Sequence, residues 1–218
     1  MIMERYIFFD LDGTLTDSAP GIVKAVTYSL EQLGIPLPPA EVMHKFVGPP
    51  LLWSYDHWCG MDLEKSWEAV WKFREYYNVT GVYENSVYDG VPEMLDALLA
   101  AGCKLVLATS KPEETAHLVL DHFKLKDKFT LVAGSREKEG ILEKDTVIAD
   151  AIKRLGLTDL QHVVMVGDRS NDIEGGKVNG LRTLGVLYGY GGLEELTQAG
   201  ADLLAETPAE AAKLLLNL

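Results

Sequence analysis

Four aspartates carry the chemistry this sequence could do. Asp10 and Asp12 stand two positions apart in RYIFFDLDGTLTDS, and Asp168 and Asp172 stand four apart in VGDRSND. Carboxylates brought together repel one another unless a cation sits among them. An all-oxygen set of this kind suits a hard divalent ion such as Mg²⁺. The same side chain can attack an electrophile, or give a proton to a leaving group and take one from a water. Seen alone, Asp-x-Asp is an ordinary acidic turn, and the second cluster is a turn with a capped helix. Two such clusters, each directly after an apolar run, weigh against that plain reading.

The elements around them are ones that could position a site. Tyr6-Ile7-Phe8-Phe9 is short, aromatic and β-branched, which predicts a buried strand delivering Asp10 to its C-terminal end. In an open parallel sheet that edge is where ligands bind. Asp12 lies just past the strand, where Gly13 can take a backbone shape closed to other residues. A second strand, 103–108, ends in Thr109-Ser110-Lys111, placing a hydroxyl and backbone N–H groups at the same edge before a helix. Such N–H groups bind anions, although capping of the next helix is the simpler reading of this segment alone. An anion also needs a positive side chain. Lys144, just before a helix over 145–156 and 24 residues ahead of Asp168, is the candidate, with Lys111 and Lys138 as rivals.

The chain between these motifs changes character once. Ser18 is placed as a helix N-cap, Pro20 in the first turn, and Ile22, Val23, Val26, Leu30 and Leu33 recur at helical spacing up to Gly34 and Pro36. Further helices are expected near 39–46, 51–59 and 63–78, with a loop at FVGPPL (46–51) and no strand between 18 and 86. All four tryptophans, Trp53, Trp58, Trp67 and Trp71, fall in this block and are expected to build its core, since aromatic stripes at helical spacing usually do. From 87 onward helices (91–101, 112–124, 145–156, 172–179) alternate with strands (103–108, 129–133, 162–166, 182–187). Helices at 193–199 and 208–217 flank an edge strand at 201–204. This alternation predicts an α/β fold, a doubly wound, Rossmann-like parallel sheet covered on both faces. The expected division is a core of 1–17 and 87–218 with a small all-helical domain, 18–86, inserted in it.

The chain has 218 residues, 47% of them apolar, and no run approaching the roughly 20 apolar residues of a membrane span. The N-terminal residues run directly into the first strand, so no signal peptide is expected. Cys59 and Cys103 are far apart in core-like sequence and read as reduced cytoplasmic thiols, so Asn78-Val79-Thr80 does not count as a glycosylation site. A formal net charge of −13 argues against nucleic acid. It does not forbid a small phosphorylated metabolite, because a bound cation and one or two lysines reverse the field inside a cleft.

In chain order, IFFDLDGTLTD, LATS, Lys144 and VGDRSND resemble the four motifs of the haloacid dehalogenase (HAD) superfamily. The resemblance spans the whole chain. Its layout is most similar to phosphoglycolate phosphatases and their relatives, which include 5′-nucleotidases and pyrophosphatases, with a helical cap after the first motif. It implies a Mg²⁺-dependent phosphatase of a small phosphomonoester, working as a monomer or homodimer. Asp10 would form an aspartyl-phosphate, and Asp12 would act as acid and then base. Asp10, the Asp12 carbonyl and Asp168 would hold Mg²⁺, with Asp172 contributing either directly or through the groups that touch the ion. Thr109, Ser110 and Lys144 would bind the phosphoryl oxygens, and Gly48 of FVGPPL would lie in a cap loop over the site. Dehalogenases of the superfamily lack an acid at the position of Asp12, because a halide leaves without a proton, so Asp12 points to phosphoryl chemistry. Sugar phosphomutases and pyrophosphatases of the same superfamily are rival readings, as is a catalytically idle binding protein. A signalling receiver domain carries its aspartate on a middle strand and has no helical insert, unlike this chain.

Overall fold

The structure, a computed structural model, describes residues 4–218. The chain forms two compact units, one of the residues up to Thr16 with Val87–Leu218, the other of Asp17–Ser86. Strand β1 (Tyr6–Phe9) opens the first unit. The two crossings between units, β2 (Thr16–Asp17) and β3 (Ser86–Val87), pair as a two-stranded sheet.

The helical unit contains α1 (Ala19–Gln32), α2 (Ala40–His44), α3 (Leu51–Cys59) and α4 (Leu63–Tyr77). Pro20 lies in the first turn of α1, where its missing N–H is no loss. Ser18 occupies the cap position, but its hydroxyl makes no cap bond; Asp17 Oδ1 instead accepts the Ala19 N–H at 3.3 Å. The four tryptophans do not build the core. Trp53 and Trp71 are 47% and 58% exposed, and Trp58 and Trp67 are only half-buried. The buried face of α4 is Ser66, Ala69, Val70, Phe73 and Tyr77, a stripe at helical spacing that leaves Trp67 and Trp71 one position aside. Tyr55, Phe46, Phe73 and Tyr77 supply the buried aromatic volume. Trp53 stacks on His57 at 4.5 Å between ring centroids, and Lys45 lies over Trp58 at 5.0 Å.

The second unit continues with α5 (Val91–Ala100), β4 (Lys104–Pro112), α6 (Glu113–His122), β5 (Phe129–Ser135), α7 (Lys144–Leu155) and β6 (Val163–Gly167). It ends with α8 (Ser170–Val178), β7 (Arg182–Val186), α9 (Gly192–Gln198), β8 (Leu203–Ala205) and α10 (Pro208–Leu216). Six strands pair in parallel in the order β5-β4-β1-β6-β7-β8. From β1 the chain runs outward through β4 and β5, then returns to the other side of β1 and runs outward again. The order therefore reverses at β1, the kind of point beside which open α/β sheets bind ligands. Ile7, Phe8 and Phe9 are all at most 1% exposed, as a strand covered on both faces must be. On one face Phe8, Val106 and Met165 pack with Val147, Ile148 and Ala151 of α7.

Two strands differ from the sequence expectation. β4 runs on to Pro112, which pairs with Ser135, so α6 begins only at Glu113. Thr109 and Ser110 are thus extended chain and do not cap a helix. The edge strand lies at 203–205 because the Asp202 carboxylate accepts both the N–H and the hydroxyl of Thr183, at 2.8 and 2.9 Å, where a ladder bond would otherwise form. Among the described residues no helix is long and apolar enough to cross a membrane.

Phe8→Ala should lower the unfolding free energy by about 3–5 kcal/mol in urea titrations. Trp71→Ala should change it by less than about 1 kcal/mol, since the ring is more than half exposed and lies against Arg74 at the surface. Equal losses would mean that the tryptophan is part of the core after all.

Candidate active site

Strand register builds the site. Phe9 pairs with Leu107 of β4 and with Val166 of β6, so Asp10, Ala108 and Gly167 lie side by side where β1 and β6 end. Asp10 still belongs to the ladder, its N–H donating to Val166 at 2.9 Å. The chain then doubles back, and the Leu11 carbonyl accepts the N–H groups of Thr14, Leu15 and Thr16 at 3.3, 2.9 and 3.0 Å. Gly13 makes this turn with φ +87°, and a Cβ there would fall 2.2 Å from Asp168 Oδ2. A side chain is therefore excluded twice, by conformation and by space.

Asp10, Asp168 and Asp172 each present an oxygen, all within 4.8 Å of one another. All three are buried. Lys144 reaches into this group. Its Nζ lies 2.7 Å from Asp10 Oδ1 and 2.8 Å from Asp172 Oδ1, and donates to the Ala108 carbonyl at 3.1 Å. Lys144 is the first residue of α7, and with Val147, Ile148 and Ala151 it lies on that helix's buried face. The apolar residues that anchor α7 on the sheet thus carry the ammonium into the site.

Asp168 is fixed on both oxygens. Oδ1 accepts from the Thr14 hydroxyl at 2.9 Å and Oδ2 from the Tyr190 N–H at 2.8 Å. The Tyr188 hydroxyl donates to the Thr14 carbonyl at 3.0 Å, tying the segment after β7 to the turn after β1. Gly189 lets that segment approach, since a Cβ on it would lie 2.3 Å from the Asp168 Cβ. Asp172, in the first turn of α8, accepts the Arg169 N–H on Oδ2 at 3.0 Å.

Asp12 stands apart from the trio. Its Oδ2 accepts from Lys111 Nζ at 2.6 Å, while its Oδ1 is buried without a hydrogen-bond partner. Thr109 is buried, and its hydroxyl accepts the Lys111 N–H at 3.3 Å; Ser110 beside it is half-buried. Of the three lysines weighed from the sequence, Lys144 meets Asp10, Lys111 meets Asp12, and Lys138 is exposed in a 3₁₀ turn, Glu137–Glu139. Gly48 lies in the helical unit with φ +106°. Thr14, Tyr188, Gly189 and Tyr190 were not among the residues singled out from the sequence. The cue for the last three was LYGYGG, a glycine-rich turn directly after a strand that ends at the same sheet edge.

The electrostatics follow from burial. Removal from water pushes Asp10 up to about 6, against the opposing pull of Lys144. Asp168 is raised well above the usual carboxylate range by burial first and then by the charges of Asp172 and Asp10. Burial alone would lower Lys144, but Asp10 and Asp172 outweigh it and hold the ammonium above the ordinary lysine value. Three oxygen donors at mutually repelling distances fit a hard divalent cation, whose charge would favour their ionised forms.

Asp10 and Asp168 bind protons more readily in the folded protein than in the unfolded chain, so stability falls as pH rises above the ordinary carboxylate range, the Asp10 share of it being lost through about 6. In EDTA the protein should melt at a higher temperature at pH 5.5 than at pH 7.5. Asp10 alone should contribute at most about 1 kcal/mol of that difference. A divalent cation should shrink the gap by stabilising the ionised trio. A higher melting temperature at pH 7.5 in EDTA would contradict this account.

Known proteins share both the sequence and the fold. The family model of haloacid dehalogenase-like hydrolases matches residues 7–186. A 5′-nucleotidase of Pseudomonas aeruginosa is 41% identical over 204 residues, covering 91% of this chain and 92% of the relative. The tyrosine-protein kinase PtkA of Mycobacterium tuberculosis is 39% identical over 188 residues, which is 86% of this chain and 63% of that protein. The crystal structure of a predicted phosphatase from Clostridium acetobutylicum superposes with a TM-score of 0.94 at 40% identity, covering 99% of this chain and all of that one. With its aspartates, lysine and sheet edge arranged as described, the chain belongs to the haloacid dehalogenase-like hydrolases.

Proposed function

We propose that this hydrolase is a Mg²⁺-dependent phosphomonoesterase of small phosphorylated metabolites, with 5′-nucleotides as the preferred class. The observation that carries the reading is Lys144 held between Asp10 and Asp172 at the C-terminal edge of β1 and β6. The same group of charges that stabilises buried carboxylates is what a phosphoryl group needs around it. The preference for nucleotides rests on the 41% identity to the P. aeruginosa 5′-nucleotidase over nearly the full length of both chains. A cytoplasmic location fits the free thiols of Cys59 and Cys103.

The chemistry follows from the residues. An Asp10 carboxylate oxygen attacks phosphorus, and the ester P–O bond breaks as Asp12 gives its proton to the leaving oxygen. Water then attacks the aspartyl-phosphate, Asp12 takes its proton, and phosphate leaves with Asp10 restored. Lys144 and Thr109 stabilise the equatorial phosphoryl oxygens. Asp10, Asp168 and Asp172 would hold Mg²⁺, together with the Asp12 carbonyl. Bound there, the ion offsets the repulsion between phosphate and carboxylates.

A second reading, transfer of the phosphoryl group to a hydroxyl instead of water, draws on the similarity to PtkA. Release of inorganic phosphate without an added acceptor separates the two. Incubation with a panel of nucleotides, phosphoglycolate, sugar phosphates and pyrophosphate should release phosphate in Mg²⁺ and not in EDTA, most strongly from a nucleoside monophosphate. Asp10→Asn should abolish release while leaving the fold intact. Lys144→Ala should lower the rate by about 100-fold or more. Near-normal turnover in Asp10→Asn would refute the nucleophile assignment. Failure of the whole panel would refute the phosphatase reading.

A further inference from the structure

The buried ion pair between Lys111 and Asp12 is not needed to explain the carboxylate trio or its lysine. Lys111 is 9% exposed and Asp12 8%, and the pair joins positions 99 residues apart. Several features hold Lys111 in place. It precedes Pro112, whose ring disfavours a helical backbone at the residue before it. Pro112 in turn pairs with Ser135 of β5, and the Lys111 N–H donates to the Thr109 hydroxyl. The ammonium is therefore presented by a constrained, extended backbone.

The contact is one-sided. Lys111 takes Oδ2 of Asp12, and Oδ1 is left buried with no hydrogen-bond partner. A carboxylate whose two oxygens are made unequal in this way has one oxygen fixed and one available. We infer that Lys111 is a positioning residue for the acid–base step, holding Asp12 by Oδ2 so that Oδ1 is the atom that exchanges the proton with the leaving group and the water. In the forward step the Oδ1–H bond breaks, the proton joins the leaving oxygen as the P–O bond breaks, and the charge left on Asp12 faces Lys111. This rests on the phosphatase reading and assigns a role within its site.

Leaving-group dependence tests it. An alkyl phosphate needs a proton on its leaving oxygen, and 2,4-dinitrophenyl phosphate does not. The ratio kcat/KM reports phosphoryl transfer to Asp10 and excludes the later hydrolysis. Lys111→Met keeps the side chain's length and removes its charge. It should lower kcat/KM by about 100-fold on glycerol phosphate or another alkyl ester, the scale of a lost general acid, and by only a few-fold on the dinitrophenyl ester. Lys111→Arg should recover part of the alkyl activity. Asp12→Asn should show the same substrate pattern, and adding Lys111→Met to it should change little, because both act through one group. The double variant also removes both charges together, so the comparison stands if Lys111→Met alone fails to fold.

Equal losses on the two esters, or losses that multiply in the double variant, would overturn the inference and make Lys111 a ligand of the phosphoryl group or a support of the fold. Wild-type protein that cleaves neither ester would overturn the phosphatase reading and this role with it. The two failures are thus told apart by the wild type alone.

Discussion

The constraint on which this structure turns is the burial of three mutually repelling carboxylates at one sheet edge. Asp10, Asp168 and Asp172 lie within 4.8 Å of one another, where little water reaches them. A hydrophobic protein would not place them there without compensation, because an unpaired buried charge is severely destabilising. Lys144 supplies part of it, touching two of the three. Its delivery depends on the packing of α7, and that packing depends on the face of Phe8, Val106 and Met165 beneath it. The hydrophobic core and the charged site are therefore one mechanical unit. The core fixes the helix, and the helix holds the cation that makes the site tolerable.

Neighbouring carboxylates acquire different roles through their surroundings. Asp10 sits against Lys144 at the end of a strand, with its backbone still held by the ladder. Asp168 has both oxygens occupied by donors, from Thr14 and from the Tyr190 N–H, and is walled in by Gly13 and Gly189. That arrangement suits a group whose orientation must not change. Asp12 lies in the turn, paired with a different lysine and with one oxygen left over. Only Leu11 separates Asp10 from Asp12, yet the strand end between them puts one at the ladder and the other beyond it.

Much of this was legible in the sequence, because it is set by local chemistry. Apolar runs followed by Asp, and the repeated alternation of helix and strand, are enough to place Asp10 and Asp168 at the same edge of a parallel sheet. Lys144 was harder, since nothing local distinguishes it from Lys138. Only the buried stripe of α7 does, because residue 144 falls three and four positions before Val147 and Ile148. The tryptophans misled for the opposite reason. Their size suggested a core, but the stripe through Ser66, Ala69, Val70, Phe73 and Tyr77 had already claimed that face of α4. The contacts of Tyr188, Tyr190 and Lys111 are tertiary, joining residues 174, 22 and 99 positions apart, and no short window of sequence displays them.

The charge count at the sheet edge reconciles an acidic protein with an anionic substrate. Asp10, Asp12, Asp168 and Asp172 carry four negative charges when ionised, and Lys111 and Lys144 carry two positive ones. The formal balance of minus two is what one divalent cation cancels. The −13 of the whole chain is therefore a poor guide to the field a phosphate would meet. Distant surface carboxylates are screened by salt within about 10 Å, whereas buried charges a few ångströms apart are not. Both lysines arrive from the β4 to α7 half of the chain, after the first strand has delivered its aspartates. Recognition of an anion is thus a property of how the two halves of the sheet are brought together, and no single motif contains it.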